Sequence, residues 1–311
     1  MAHERRFRFS AQVSNTRSPK EWGATARKVE DLGFSSIGLS DHFGDQLAPV
    51  PALMAAADAT TELRIATFVF DNDYRHPLVL AKEAATLDLL SDGRLELGLG
   101  AGWMKSDYDE SGIAYDRPGV RVDRFEEGLA VVKGLLGEGP FSFSGRHYTI
   151  TEHEGRPRPV QRPHPPIIIG GGARRVLSIA GREADIVSVN ADLREGLGGA
   201  ETAPTSTPAR TTEKLRWVAD AAGDRFEEIE LHVLVGFCLV TDDPRPIAEG
   251  MAPVFGLTPK EALHVPMCLV GTVDSMVDEL QRRREEWGFS YISLESGWEG
   301  FAPVVARLAG T

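Results

Sequence analysis

The sequence predicts a (β/α)8 barrel with insertions at its C-terminal face, built as a single domain over residues 1–311. Three observations predict it. Short apolar runs alternate with helical stretches along the whole chain, the pattern of a parallel α/β fold. There are eight such runs, several almost continuously apolar, as expected of strands covered on the outside by helices. Nearly every run ends in polar or glycine residues, which is where barrels of this kind carry their sites. The same alternation also fits a doubly wound open sheet.

The eight strand candidates are residues 7–13, 35–40, 63–70, 95–99, 167–169, 185–189, 229–240 and 291–294. Helices are expected between them. Residues 19–32 open with Ser18 as a cap and Pro19 in the first turn, and stop before Gly33. Residues 77–90 place Leu80, Ala84, Leu87 and Leu90 at helical spacing and end at Ser91-Asp92-Gly93. Residues 122–136, 176–181, 212–222 and 273–287 follow the same logic. Two stretches break the rhythm. Ser144-Gly145 suits the turn of a small hairpin, and residues 196–212, rich in Gly, Ala, Thr and Pro, read either as a lid or as an unstructured connector.

Composition narrows the function. With 42% hydrophobic and 26% charged residues, the chain is that of an ordinary globular protein. A net charge of −12 without a basic stripe argues against a nucleic-acid partner. The two cysteines, Cys238 and Cys268, lie in apolar stretches with no histidine at ligand spacing, so neither a disulfide framework nor a metal site is expected. The charged first residues are unlike a secretory signal, and no apolar run reaches the ~18 residues that span a membrane. A cytoplasmic protein with a small-molecule substrate is expected.

Three strand exits carry the chemistry. Ser40-Asp41-His42-Phe43 brings an acid and an imidazole to the rim; Asp41 and His42 are candidate catalytic residues, or else a turn cap and a packed ring. Pro166 to Arg175 runs from a strand through Gly170, Gly171 and Gly172 to Ala173 and Arg174 at a helix start. That order suits a phosphate cradle of backbone N–H groups, though a tight turn also favours glycine. In Gly98-Leu99-Gly100-Ala101-Gly102-Trp103 a tryptophan stands where a dinucleotide fingerprint needs its third glycine, which excludes that motif. These glycines either admit a flat ring or relieve packing inside the barrel. Weaker candidates are His76, a helix cap, His264 near the rim after the seventh strand, and Glu295 and Trp298 after the last strand. Arg64 and Arg94, at strand starts, read as structural.

Four segments together resemble the bacterial luciferase-like superfamily, and within it the coenzyme F420-dependent oxidoreductases. They are Ser40 to Phe43, Arg75-His76-Pro77 with the helix ending at Arg94, Leu97 to Trp103, and Pro165 to Gly172, supported by Leu269-Val270-Gly271-Thr272. The resemblance runs over nearly the whole chain. It implies a tricyclic ring lying on a bulge after the third strand, with a non-proline cis peptide within residues 67–71, so that Thr67, Phe68, Val69 and Phe70 become cofactor residues. It places Asp41 and His42 beside ring and substrate, and Gly102, Trp103 or Ser106 near the ring. It gives the phosphate to Gly170, Gly171, Gly172, Ala173 and Arg174. The activity it implies is hydride transfer between F420 and an activated C=C or C=N bond, in a homodimer. The alternative is an FMN-dependent monooxygenase fed by a separate reductase. A flavin-binding protein without turnover is a third reading.

Overall fold

The computed structural model describes residues 5–311. Eight parallel strands form its centre: β1 (Arg8–Gln12), β2 (Ser36–Leu39), β3 (Arg64–Thr67), β4 (Leu95–Gly100), β5 (Ile167–Gly171), β6 (Ile186–Val189), β7 (Glu230–Val235) and β8 (Phe289–Leu294). Each pairs with the next in sequence, from Ser10 with Ser36 to Val235 with Leu294, and Arg8 of β1 pairs with Tyr291 of β8. The sheet is therefore a closed barrel, and the open-sheet alternative falls away.

Helices wrap the outside: α1 (Pro19–Asp31), α2 (Pro49–Ala59), α3 (Pro77–Leu90), α4 (Lys105–Ser111), α5 (Pro118–Leu136), α6 (Arg174–Glu183), α7 (Pro208–Ala222), α8 (Arg245–Phe255), α9 (Pro259–Ala262), α10 (Val273–Trp287) and α11 (Trp298–Leu308). Ser18 caps α1 by accepting from Glu21 N, and His76 caps α3 by accepting from Leu78 N. Five of these helices are unannounced by the pattern. α2 is mostly alanine and proline with little amphipathic contrast, α8 and α11 carry prolines inside, and α4 and α9 are one or two turns long.

The expected hairpin forms from Pro140–Ser144 and Thr149–Glu154, closed by Gly145 N donating to Tyr148 O. Residues 229–240 are not one strand. The chain turns at Gly236, and Phe237–Val240 leaves the barrel to pair with Cys268–Gly271. Residues 196–212 form two single 3-10 turns and the start of α7, with Gly198 against the Trp103 ring.

The third strand is also interrupted. Ala66 pairs with Glu96 and Phe70 with Leu99, so four steps on one strand meet three on the next, the count of a β-bulge. Within it, Phe68–Val69 is a cis peptide. Phe68 turns into the lumen against Ile168, Ile186 and Tyr291. Below, a buried ionic cluster closes the barrel floor: Glu96 accepts from Arg8 (2.5 Å), Arg64 (2.8 Å) and Tyr291 Oη (2.9 Å). Burial alone would raise the Glu96 carboxyl, but the two guanidiniums outweigh it and hold it below its ordinary range. Arg94 ties Ala57 O, Leu63 O and Ser91 O together, so both strand-start arginines are structural. Among the described residues no helix is long and apolar enough to cross a membrane, and no cluster of His, Cys, Asp or Glu could hold a metal.

Candidate active site

A cavity of about 1150 Å³ opens at the C-terminal mouth of the barrel, bounded by exits from all eight strands. Parallel strands deliver their last residues to one end, so Asp41, Asp71, Gly102, Gly171, Asn190, Gly236 and Glu295 converge although they are scattered in sequence.

At the exit of β2, Asp41 is buried and held by Arg75 through both carboxylate oxygens (2.6 and 3.2 Å). Its Oδ2 also accepts from Asp71 N at 3.1 Å, which pins the exit of β2 to the end of the bulge. His42, one residue on, donates from Nδ1 to Asp107 Oδ2 at 2.7 Å. Asp107 is itself fixed by Tyr74 Oη (3.0 Å) and Phe43 N (3.4 Å). With Nδ1 committed, Nε2 is the nitrogen left for a ligand. The imidazole meets the Trp103 ring edge-on at 5.6 Å.

At the exit of β5, α6 begins without a side-chain cap. Its first intrahelical bond is from Leu177 N to Ala173 O, so the N–H groups of Arg174, Arg175 and Val176 have no acceptor among the described residues. Gly172 is required sterically, since a Cβ there would lie 2.0 Å from Ala191 O. Arg174 is exposed and forms no ion pair among the described residues, whereas Arg175 is paired with Asp123.

In the cavity wall, Asn190 Oδ1 and His232 Nε2 are buried without a hydrogen-bond partner among the described residues. Burial, aided by Arg8, pushes the His232 imidazole down to about 3, so it is neutral. It stacks on Phe68 at 5.0 Å and its Nδ1 meets Ser188 Oγ at 2.7 Å. Among the described residues the buried Asp71 has no cation of its own, because Arg75 serves Asp41 and Arg124 serves Asp73. Burial pushes its carboxyl up to about 7, with neighbouring Asp73 and Asp41 adding to the rise.

The expected residues fare unequally. Asp41, His42, Phe68, Val69, Gly102, Trp103, Gly170, Gly171, Gly172, Ala173 and Arg174 all line the cavity. Thr67, Phe70 and Ser106 do not. Thr67 Oγ1 is spent on the backbone of Gly98, donating to its O (2.9 Å) and accepting from its N (2.7 Å). Phe70 is fully buried beneath Arg75, and Ser106 faces outward from α4. Its neighbour Asp107 takes the inward position that a helical turn assigns to only some residues. Glu295 lines the cavity, while Trp298 packs edge-on against Phe34 at 6.2 Å. His264 is away from the rim, held between Glu279 and Glu286 and stacked on Trp287.

Comparison with known proteins agrees with this geometry. The family model for luciferase-like monooxygenases matches residues 5–249. The FMNH(2)-dependent dimethylsulfone monooxygenase of Pseudomonas putida is 32% identical over 178 residues, 55% of this chain and 49% of that protein. The F420-dependent glucose-6-phosphate dehydrogenase of Amycolatopsis mediterranei is 29% identical over 175 residues, 54% of this chain and 52% of that one. The chain spans about half the length of the curated relatives it matches. Among solved structures, the coenzyme F420 dependent tetrahydromethanopterin reductase from Methanopyrus kandleri superposes with a TM-score of 0.79 at 19% identity, covering 98% of this chain and 99% of that one. A long-chain alkane monooxygenase gives 0.73 at 17% identity, covering 98% and 91%. At such identities the likeness is one of fold. The family match takes in most of the chain, bulge, imidazole and glycine cradle included, and the chain belongs to the luciferase-like monooxygenase family.

Proposed function

We propose that the protein is an F420-dependent oxidoreductase, moving a hydride between the deazaflavin and a small organic substrate with an activated C=C or C=N bond. One observation carries the reading: a single cavity joins an uncapped helix start to a carboxylate-oriented imidazole at another strand exit. The residues fit such a cofactor. Three free N–H groups and the α6 dipole suit a phosphate. Phe68 and Val69 offer an apolar wall, and the orphaned Asn190 Oδ1 is an acceptor that a ring N–H would satisfy. The exposed Arg174 supports a cofactor whose anionic tail continues past the phosphate, as that of F420 does and that of FMN does not.

When bound, the deazaflavin supplies or receives the hydride. The chain does the rest. His42 Nε2 holds or delivers a proton at the substrate, with Asp107 fixing its tautomer. The Asp41–Arg75 pair keeps the exit of β2 in register with the bulge. Trp103 and the turns at 199–206 cover the mouth and limit water. The functional unit is a homodimer, and α3, which exposes Val79, Leu89 and Leu90 among Lys82, Glu83 and Thr86, is a surface available to it.

The 32% identity to an FMNH(2)-dependent enzyme favours a second reading, an FMN-dependent monooxygenase served by a separate reductase. Titration with F420 and with FMN, followed by quenching of the five tryptophans, separates the two. Micromolar binding of F420 and at least about tenfold weaker FMN is expected. The reverse order selects the second reading, and binding of neither refutes both.

A further inference from the structure

We infer that Glu295 selects the substrate, accepting an ion pair or hydrogen bond from a basic nitrogen, an amine or imine, on an otherwise apolar molecule. The inference rests on the cofactor lying in the α6 cradle, which leaves the rest of the mouth to substrate.

The barrel order sets the geometry. The cradle stands at the exit of β5, four strands from β1 in either direction around the closed sheet. Glu295 follows β8 and His42 follows β2, so these two groups flank β1 on the side of the cavity opposite the cradle. They are close enough for His42 to act on the Glu295 carboxyl electrostatically. Glu295 N is fixed to Val235 O at 3.0 Å, and its Oε2 lies alongside Gly236, where a Cβ would come within 3.4 Å.

The Glu295 carboxyl makes no hydrogen bond and no ion pair among the described residues. Every arginine lining the cavity comes from α5, α6 or the loop after β6, on the cradle side. Beside Gly236 the cavity wall carries Leu234, Phe237 and Met267, and across β1 it carries Gln12 and His42, none of them a permanent cation. Burial there raises its carboxyl above the ordinary range, with His42 offsetting part of the rise. An unpaired carboxyl with no permanent cation beside it disfavours an anionic substrate and favours a cation that takes up its charge. One mouth thus divides by charge, positive at the cofactor end and negative at the substrate end.

The test uses three probes of one shape, benzylammonium, benzyl alcohol and benzoate, titrated calorimetrically into the wild-type protein and Glu295→Gln at about pH 8, with and without F420. Benzylammonium should bind tightest to the wild type and benzoate weakest. Glu295→Gln should weaken benzylammonium about tenfold, the loss of one charge-assisted hydrogen bond, and leave benzyl alcohol within about threefold. Benzoate binding as tightly as benzylammonium, no binding of benzylammonium, or an equal change for all three probes would overturn the inference. F420 and FMN affinities, measured on the same two proteins, should be indifferent to the substitution. Failure of both cofactors to bind would sink the redox reading while the ranking of the probes still reports on Glu295.

Discussion

Asp71→Asn is the sharpest perturbation available, because it changes one proton in a place where the protein has withheld a cation. Asp71 is buried, with Oδ1 accepting from Asp73 N at 2.8 Å and Oδ2 from Tyr108 Oη at 3.1 Å. An asparagine keeps the shape and an oxygen for the Asp73 amide. In the folded protein the carboxyl titrates near about 7 against an ordinary 3.8. The folded state therefore holds its proton more tightly than the unfolded chain does. The group's contribution to stability is complete below the ordinary value and is lost as pH rises through about 7. At roughly 1.4 kcal/mol per pH unit, the wild type loses about 2 kcal/mol between pH 5.5 and full ionisation, a loss that the neutral amide escapes. Melting both proteins across about pH 5.5 to 8.5 should show the variant gaining on the wild type by roughly 3 °C as pH rises. Melting curves that stay parallel across that range would refute the assignment of a cation-free buried acid.

Other changes report on the site more directly. His42→Ala should lower turnover about 100-fold or more while cofactor affinity stays within about threefold, measured by steady-state kinetics beside a fluorescence titration; unchanged turnover would remove the imidazole from the chemistry. Asp107→Asn keeps His42 in place but accepts no better than a neutral amide, so turnover should fall and its pH profile shift. Arg75→Met leaves Asp41 buried beside Asp71 without a counter-charge, and chemical denaturation should register a loss of about 3 kcal/mol.

The barrel was legible because its evidence is periodic. Parallel strands sheathed by helices must be apolar on both faces, and Ile167, Ile168 and Ile169 announce that without ambiguity. Exits are legible too, since a chain leaving a barrel needs glycine or polar residues there. What escaped is whatever depends on one residue more or less. Residues 63–70 read as one apolar strand, yet the chain breaks its pairing after Thr67, and no periodicity marks an inserted residue inside an apolar run. Ser106 and Asp107 are neighbours on a two-turn helix, and choosing between them needs the rotation of that helix. Buried Tyr108, the one large apolar side chain of α4, was the available clue. The weight of Glu295 is not legible in the sequence, because the absence of a partner is a property of space.

The strand glycines take a different meaning once the bulge is in view. Gly98 and Gly100 on β4 and Gly38 on β2 flank β3 on both sides. A Cβ on Gly38 would lie 2.4 Å from the Phe68 ring, one on Gly100 2.7 Å from Val69 Cγ2, and one on Gly98 1.9 Å from Thr67 O. All three positions are the imprint of the bulge on its neighbours, and close packing accounts for them without a bound ring. They differ in what stands in the way. At Gly38 and Gly100 a side chain is met, which can turn aside; at Gly98 it is main chain, held by both Thr67 bonds to Gly98. Gly100→Ala should therefore cost about 1–3 kcal/mol of stability, as overpacking does, and leave cofactor binding measurable. Gly98→Ala must push the Thr67 carbonyl and the Phe68–Val69 wall away from β4. Its cofactor affinity should fall much further than that of Gly100→Ala for a comparable loss of melting temperature. Equal affinity losses in the two variants would mean that the ring does not rest on the bulge at all.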